Sequence, residues 1–193
     1  MIQDQALRYF ADWIEQEVGI IYEEHNLYQL QDRLEKLARV QGVGSVAELW
    51  QLAQKGISGP FKQLLVDIST NNETSFFRDT KFFECLQAKV LPDLYKKNVA
   101  PLKIWSVASS SGQEAYSLVM LLSEGNYLNQ TPPFILATDI SERILARAEA
   151  ATYSEIELNR GVSGPFKSKY FQSDINGQWR FRSDLKKLVQ FVD

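Results

Sequence analysis

Between residues 102 and 153 the chain runs twice through one pattern: an apolar run, a loop, then an amphipathic run. "LKIWSVA" leads through "SSSG" into "QEAYSLVMLLSEG", and "PFILATDIS" leads into "ERILARAEAATY". Short apolar runs bounded by small or polar residues suit buried strands, and the longer periodic runs suit helices. Strand, tight loop, helix and strand in that order make a βαβ unit, which closes right-handed in a parallel sheet. The fold class is therefore α/β. "LVQFVD" at 188–193 supplies a third strand.

The chain ahead of this unit has a different character. Residues 4–19 place Leu7, Phe10, Ile14 and Val18 at helical spacing before Gly19, and Glu24–Val40 does the same with Leu27, Leu30, Leu34 and Leu37. Ser45 is placed to cap a third helix, "VAELWQLAQKG", and "PFKQLLVDIST" reads as a fourth. Residues 1–70 are thus expected to form a small all-helical domain, 71–80 a linker, and 81–193 the α/β domain. Within the latter, "TKFFECLQAKVLPDLYKKN" reads as a helix whose last turns Pro92 distorts. Asn176-Gly177, followed by Trp179 and Phe181 alternating with Arg180 and Arg182, predicts a small antiparallel hairpin at about 168–183.

Composition excludes several function classes. A net charge of −3 argues against nucleic acid, whose binding rests on clustered Lys and Arg. One cysteine, Cys85, and one histidine, His25, are too few soft ligands for a zinc site, so no metal is expected. No run of eighteen apolar residues occurs, and the N-terminus has acids where a leader needs a basic start. A cytoplasmic chain without membrane insertion is expected.

In open α/β sheets ligands bind beyond the carboxyl ends of the strands. "VASSSGQEAYS" lies there, but it lacks the three spaced glycines of a dinucleotide loop and the lysine of a phosphate loop. Asp139 ends the second strand 27 residues after Gly112, where an acid can accept hydrogen bonds from both ribose hydroxyls of an adenosine. Asp139 or Ser141 capping the next helix is the competing reading. The two features together favour an adenosine-containing ligand held without a pyrophosphate grip. A further polar stretch, "NNETSFFRD" at 71–79, sets hydrogen-bonding groups and a cation against paired phenylalanines. On its own it reads as a turn, with Asn72 and Thr74 making the turn or a cap and Arg78 pairing with Asp79.

"NNETSFFRD", "IWSVASSSGQEAYSLVMLL", "ILATDIS" and "YSEIELNRGV", in this order and behind a helical domain, resemble the CheR-type chemotaxis receptor methyltransferases over nearly the whole chain. The resemblance implies a class I, Rossmann-like methyltransferase domain that binds S-adenosylmethionine and releases S-adenosylhomocysteine. It implies that Asn72, Thr74, Arg78, Glu114 and Asp139 contact the cofactor, with Arg78 also catalytic. The implied reaction esterifies glutamate side chains on the cytoplasmic helical segment of a chemoreceptor. It also suggests a basic receptor-facing side of the second helix, made by Arg33, Lys36 and Arg39. Asp32 to Lys36 and Glu35 to Arg39 are equally i,i+4 pairs of a solvated helix. Residues 1–60 carry five Lys and Arg against nine Asp and Glu, which departs from the basic domain the resemblance suggests. The hairpin is similar to a β-subdomain that some relatives use to dock a receptor tail by strand addition; bracing the sheet is the alternative.

The resemblance implies more strands than three. The catalytic domain is accordingly expected to be truncated, with weak cofactor binding, no turnover by this chain alone, and self-association through the exposed edge of its first strand. A noncatalytic module that binds receptor or another protein stands as the alternative function.

Overall fold

The computed structural model describes residues 2–97, 101–129 and 132–193. Two compact units divide the chain, Met1–Asn71 and Asn72–Asp193.

The first unit holds four helices, α1 (Ile2–Val18), α2 (Leu27–Val40), α3 (Val46–Ala53) and α4 (Gly59–Ser69). Gly19 ends α1 by taking φ +76°, a left-handed conformation open to a residue without Cβ, while its N–H reaches Glu15 O. Ser45 caps α3 as expected: its Oγ accepts the Glu48 amide at 3.2 Å, and the Glu48 carboxylate returns to the Gly44 amide at 3.1 Å. Phe10, Ile14, Leu30, Leu34, Leu37, Leu49 and Leu65 are fully buried and form one core. Each such side chain contributes about 1.5–3 kcal/mol by leaving water.

The second unit begins with the turn at 72–79, then α5 (Thr80–Cys85), a π-helical turn (Leu86–Val90) and α6 (Leu91–Lys96). The distortion expected from Pro92 in the last turns of this helix lies in the turn just ahead of the proline. Proline has no N–H for the carbonyl one turn back, and its ring crowds that carbonyl. The preceding turn therefore widens, with the Leu91 amide donating to Leu86 O, five residues back.

The βαβ unit follows as β1 (Lys103–Val107), α7 (Gln113–Glu124) and β2 (Phe134–Thr138), then α8 (Glu142–Ala150), β3 (Thr152–Tyr153), α9 (Glu155–Asn159) and α10 (Gly164–Tyr170). The remaining elements are β4 (Phe171–Ser173), β5 (Trp179–Phe181), α11 (Ser183–Lys186) and β6 (Val189–Val192). One sheet is parallel, in the order β1-β2-β6, with Ile104 opposite Ile135 and Ile135 opposite Val189. As an edge strand β1 is open on its outer side: Trp105 is 65% exposed and Val107 60%. "LKIWSVA" is therefore not buried on both faces. The indole Nε1 of Trp105 donates to Thr138 Oγ1 at 3.1 Å across the β1–β2 pair.

The second sheet is antiparallel, in the order β3-β5-β4. The expected two-stranded hairpin is thus three-stranded, because Thr152–Tyr153 adds against β5; two residues are too short to show a strand period. Asn176-Gly177 lies within a longer turn, closed by Asp174 Oδ1 accepting the amides of Asn176 and Gln178. Among the described residues no helix is long and apolar enough to cross a membrane.

Candidate cofactor and methyl-transfer site

The loop from β1 to α7 is strained. Ala108, Ser110 and Gly112 take φ of +54°, +49° and +88°. For the two residues with a side chain such backbone costs on the order of 1–3 kcal/mol each, and it persists only where the surroundings over-determine it. Here they do. A Cβ at Gly112 would lie 3.1 Å from both Ala148 Cβ and Phe191 Cζ, so the loop is pressed onto α8 and β6. The Ser109 amide donates to Thr138 O at 2.9 Å, and the Ser111 carbonyl accepts the buried Tyr153 hydroxyl at 2.8 Å.

Ser110 joins two of the expected site residues. Its amide donates to Asp139 Oδ2 at 2.8 Å and its hydroxyl to Asn72 O at 2.9 Å. The other Asp139 oxygen accepts the Ser141 amide at 3.0 Å. Ser141, not Asp139, caps α8, accepting the Ile144 amide at 3.2 Å. The alternatives raised by the sequence are thereby separated: Asp139 ties the strand-end loops to each other. A carboxylate has about four acceptor positions, so roughly two are left for a diol. Glu114 lies on the first turn of α7, exposed, with Oε1 accepting the Ser106 hydroxyl at 2.7 Å.

The "NNETSFFRD" turn is anchored by Phe76, which is fully buried with its ring edge-on to Tyr153 (4.9 Å) and Phe171 (5.5 Å). Thr74 is half-buried beside it. Arg78 is exposed and its Nη1 donates to Glu73 O at 2.9 Å. Asp79 caps α5 instead of pairing with Arg78, its Oδ1 accepting the Phe82 amide at 3.0 Å. Asn72, Arg78 and Asp139 thus belong to one connected group of turns, and Glu114 projects from the helix that follows the loop.

Tyr116 and Tyr153 are buried near this loop, and burial pushes both hydroxyls well above the ordinary phenol range. They stay protonated and act as donors, Tyr116 to Ala148 O at 2.8 Å. A separate cavity of about 400 Å³ lies beside the turn, walled by Phe77, Phe83, Leu121 and Phe166 with Arg78 and Arg160. Glu124 also lines it, held below the usual carboxylate range by hydrogen bonds from Lys169 and Tyr170. Asn72, Glu114 and Asp139 do not line it.

The three basic residues of α2 are not brought together. Arg33 is half-buried, and its Nη1 donates to Ile68 O at 2.8 Å and Ser69 O at 2.9 Å, closing the C-terminus of α4. Lys36 and Arg39 are exposed. Glu35 takes a hydrogen bond from Gln31 at 2.9 Å, from the turn before it.

Ser109 and Ser110 lie at the candidate site, and the sequence did not single them out. Three consecutive serines are equivalent in sequence, and only the alternating backbone decides which one meets Asp139. The Ser109 hydroxyl is buried and has no hydrogen-bond partner among the described residues. An unsatisfied buried hydroxyl, a carboxylate with open acceptor positions at a strand end, and an exposed acid on the next helix fit the polar groups of S-adenosylmethionine.

A parallel sheet with an acid standing at the end of its second strand suits an adenosine-containing ligand. Residues 72–193 match the family described as CheR methyltransferase, SAM binding domain, and residues 5–69 match CheR methyltransferase, all-alpha domain. The chain is 37% identical over 187 residues to chemotaxis protein methyltransferase 1 of Pseudomonas aeruginosa, covering 94% of this chain and 68% of that protein. It is 35% identical to chemotaxis protein methyltransferase Cher2 of Pseudomonas putida, with the same coverage, and 35% identical to the chemotaxis protein methyltransferase of Vibrio parahaemolyticus, over 98% of this chain and 70% of that protein. The chain belongs to the CheR methyltransferase family.

Proposed function

We propose that this protein esterifies glutamate side chains on the cytoplasmic helical segment of a chemoreceptor, and that it works in the cytoplasm. The observation that carries the proposal is the group formed by Asn72, Ser110 and Asp139, which ties the turn bearing Arg78 to the two strand-end loops. Asp139 receives the ribose hydroxyls, while Asn72, Thr74 and Glu114 hold the remaining polar groups of the cofactor. S-adenosylmethionine supplies a methyl on a sulfonium, so the electron pair of the breaking C–S bond leaves with sulfur as S-adenosylhomocysteine.

Glutamate suits this chemistry. Its pKa is about 4.3, so it is already an anion at neutral pH and a C–O bond forms with no proton to remove. What the protein must supply is alignment, which alone is worth about 7–11 kcal/mol in well-oriented reactions. The planar guanidinium of Arg78 can turn the incoming carboxylate by paired N–H donors, and its exposure leaves it accessible to a protein substrate. Lys36 and Arg39 offer the acidic receptor a basic edge. Arg33 holds α2 to α4 behind them.

Transfer of a labelled methyl from S-adenosylmethionine to a purified receptor fragment is the test. A carboxyl ester releases volatile methanol in mild alkali, whereas an N-methyl group does not. Base-stable label, or label remaining after the receptor glutamates are changed to alanine, contradicts the proposal.

A further inference from the structure

One peptide unit in the "NNETSFFRD" turn is held on both of its polar sides. On the carbonyl side, Phe76 O lies so close to Gly161 that a Cβ at 161 would sit 1.8 Å from it. On the amide side, the Phe77 N–H donates to Ser117 Oγ at 3.0 Å, a contact spanning 40 residues. Ser117 is fully buried on α7, and its hydroxyl proton is committed to Gln113 O at 2.7 Å. The oxygen is thereby left as an acceptor facing Phe77. The flanking rings are fixed in separate clusters, Phe76 on Tyr153 and Phe171, Phe77 on Phe83 (5.0 Å) and Phe166 (5.8 Å). Between these anchors Phe77 takes φ +49°, a left-handed conformation that a bulky side chain rarely adopts. The next residue is Arg78.

We infer that Ser117 and Gly161 are positioning residues for methyl transfer: by clamping the 76–77 peptide they hold Phe77 left-handed and so aim Arg78. Without the acceptor at 117, Phe77 is released toward ordinary right-handed or extended backbone, and the chain direction into Arg78 changes. Gly161 is required for a steric reason, since any side chain there displaces the carbonyl of the same peptide. Two segments that the family likeness brought out, "QEAYS" and "NRGV", thus acquire a common purpose. The inference rests on the reading of Arg78 as the residue that orients the substrate.

The test uses the full-length protein, with single-turnover transfer to receptor, calorimetric binding of S-adenosylmethionine, and amide hydrogen exchange at Phe77. Ser117→Ala should slow transfer at least tenfold, leave cofactor affinity within about twofold, and speed exchange of the Phe77 amide at least tenfold. Ser117→Thr, which restores the oxygen, should recover the slow exchange and most of the rate. In an Arg78→Lys background Ser117→Ala should cost little more, because residues acting as a unit do not add. Unchanged exchange at Phe77, or losses that multiply in the double variant, overturns the clamp while leaving Arg78 in place. A normal rate for Arg78→Lys alone overturns the reading of Arg78 itself. Gly161→Ala tests the second jaw; if it does not fold, the Ser117 series decides.

Discussion

Asp139 Oδ2 accepts the Ser110 amide at 2.8 Å. One acid therefore secures the loop after the first strand while standing at the end of the second, where an acid can accept the hydroxyls of an adenosine ribose. Asp139→Ala should weaken S-adenosylmethionine binding by about 1.5–3 kcal/mol, the usual loss for a charge-assisted hydrogen bond. Calorimetry on the folded variant gives the answer, and an unchanged dissociation constant removes Asp139 from the cofactor site.

Arg78→Lys keeps the charge but loses the planar fork. The rate constant for transfer should fall more than cofactor affinity, because the lost interaction is made with the aligned carboxylate. Rapid-quench kinetics beside equilibrium binding separates the two quantities. Equal losses in both would place Arg78 on the cofactor alone.

The cations of α2 should divide into two kinds. Replacing Lys36 and Arg39 with Glu should weaken receptor binding, more so at low salt, and leave the melting temperature near its original value. Arg33→Ala should instead lower stability by about 1.5–3 kcal/mol, because its guanidinium bonds carbonyls at the end of α4. Denaturant melts and receptor titrations on the same proteins distinguish them. A receptor defect in Arg33→Ala at unchanged stability would reverse the assignment.

Alkali should unfold the second unit. Burial raises the Tyr116 and Tyr153 hydroxyls above the unfolded value of 10.0, and burial followed by the Glu124 hydrogen bond raises Tyr170. The folded state therefore binds these protons more tightly than the unfolded chain. Their contribution is whole below the unfolded value and is lost as pH rises from there through the folded values. Urea midpoints should hold up to about pH 10 and fall progressively above it. The drop should be shallower in Tyr116→Phe, although that variant starts lower for want of its bond to Ala148 O. An identical slope would show that other groups carry the effect.

Among the described residues β1 pairs with β2 alone, and Trp105 and Val107 are exposed on it. We expect this chain to self-associate along that edge, and Val107→Lys to suppress it. Light scattering across a concentration series reads both, and a monomer at all concentrations sinks the expectation.

The βαβ core was legible because its two periods differ: β1 and β2 are apolar runs of strand length, and α7 repeats at helical spacing. Ser45 was legible because capping is a local rule that names both the residue and its distance from Glu48. Arg33 shows the limit. Its charge pattern along α2 suited a solvated or a binding face equally, and its partners are carbonyls about 35 residues away, which no local pattern encodes. The same holds for Ser110 among three adjacent serines and for β3, whose two residues form a strand only because β5 lies beside them. At the site, residue types were readable as donors, acids and a cation. Which of them meet is decided by left-handed backbone at Ala108, Ser110 and Phe77, positions where sequence would sooner have placed glycine.

The Trp105 indole, largely exposed yet bonded to Thr138 Oγ1, has an optical consequence. Thr138 directly precedes Asp139, so the hydrogen-bond partner of the ring is the residue next to the acid proposed for the ribose. The emission of an indole in water shifts to shorter wavelength when its surroundings dry or its dipole is reoriented. Of the four tryptophans, Trp13 and Trp50 belong to the helical unit, and Trp179 lies under the Lys167 ammonium, 3.9 Å from its ring centre. Trp105 is thus a built-in fluorophore at the strand ends, and changing the other three to phenylalanine would leave a protein that signals its own occupancy by colour.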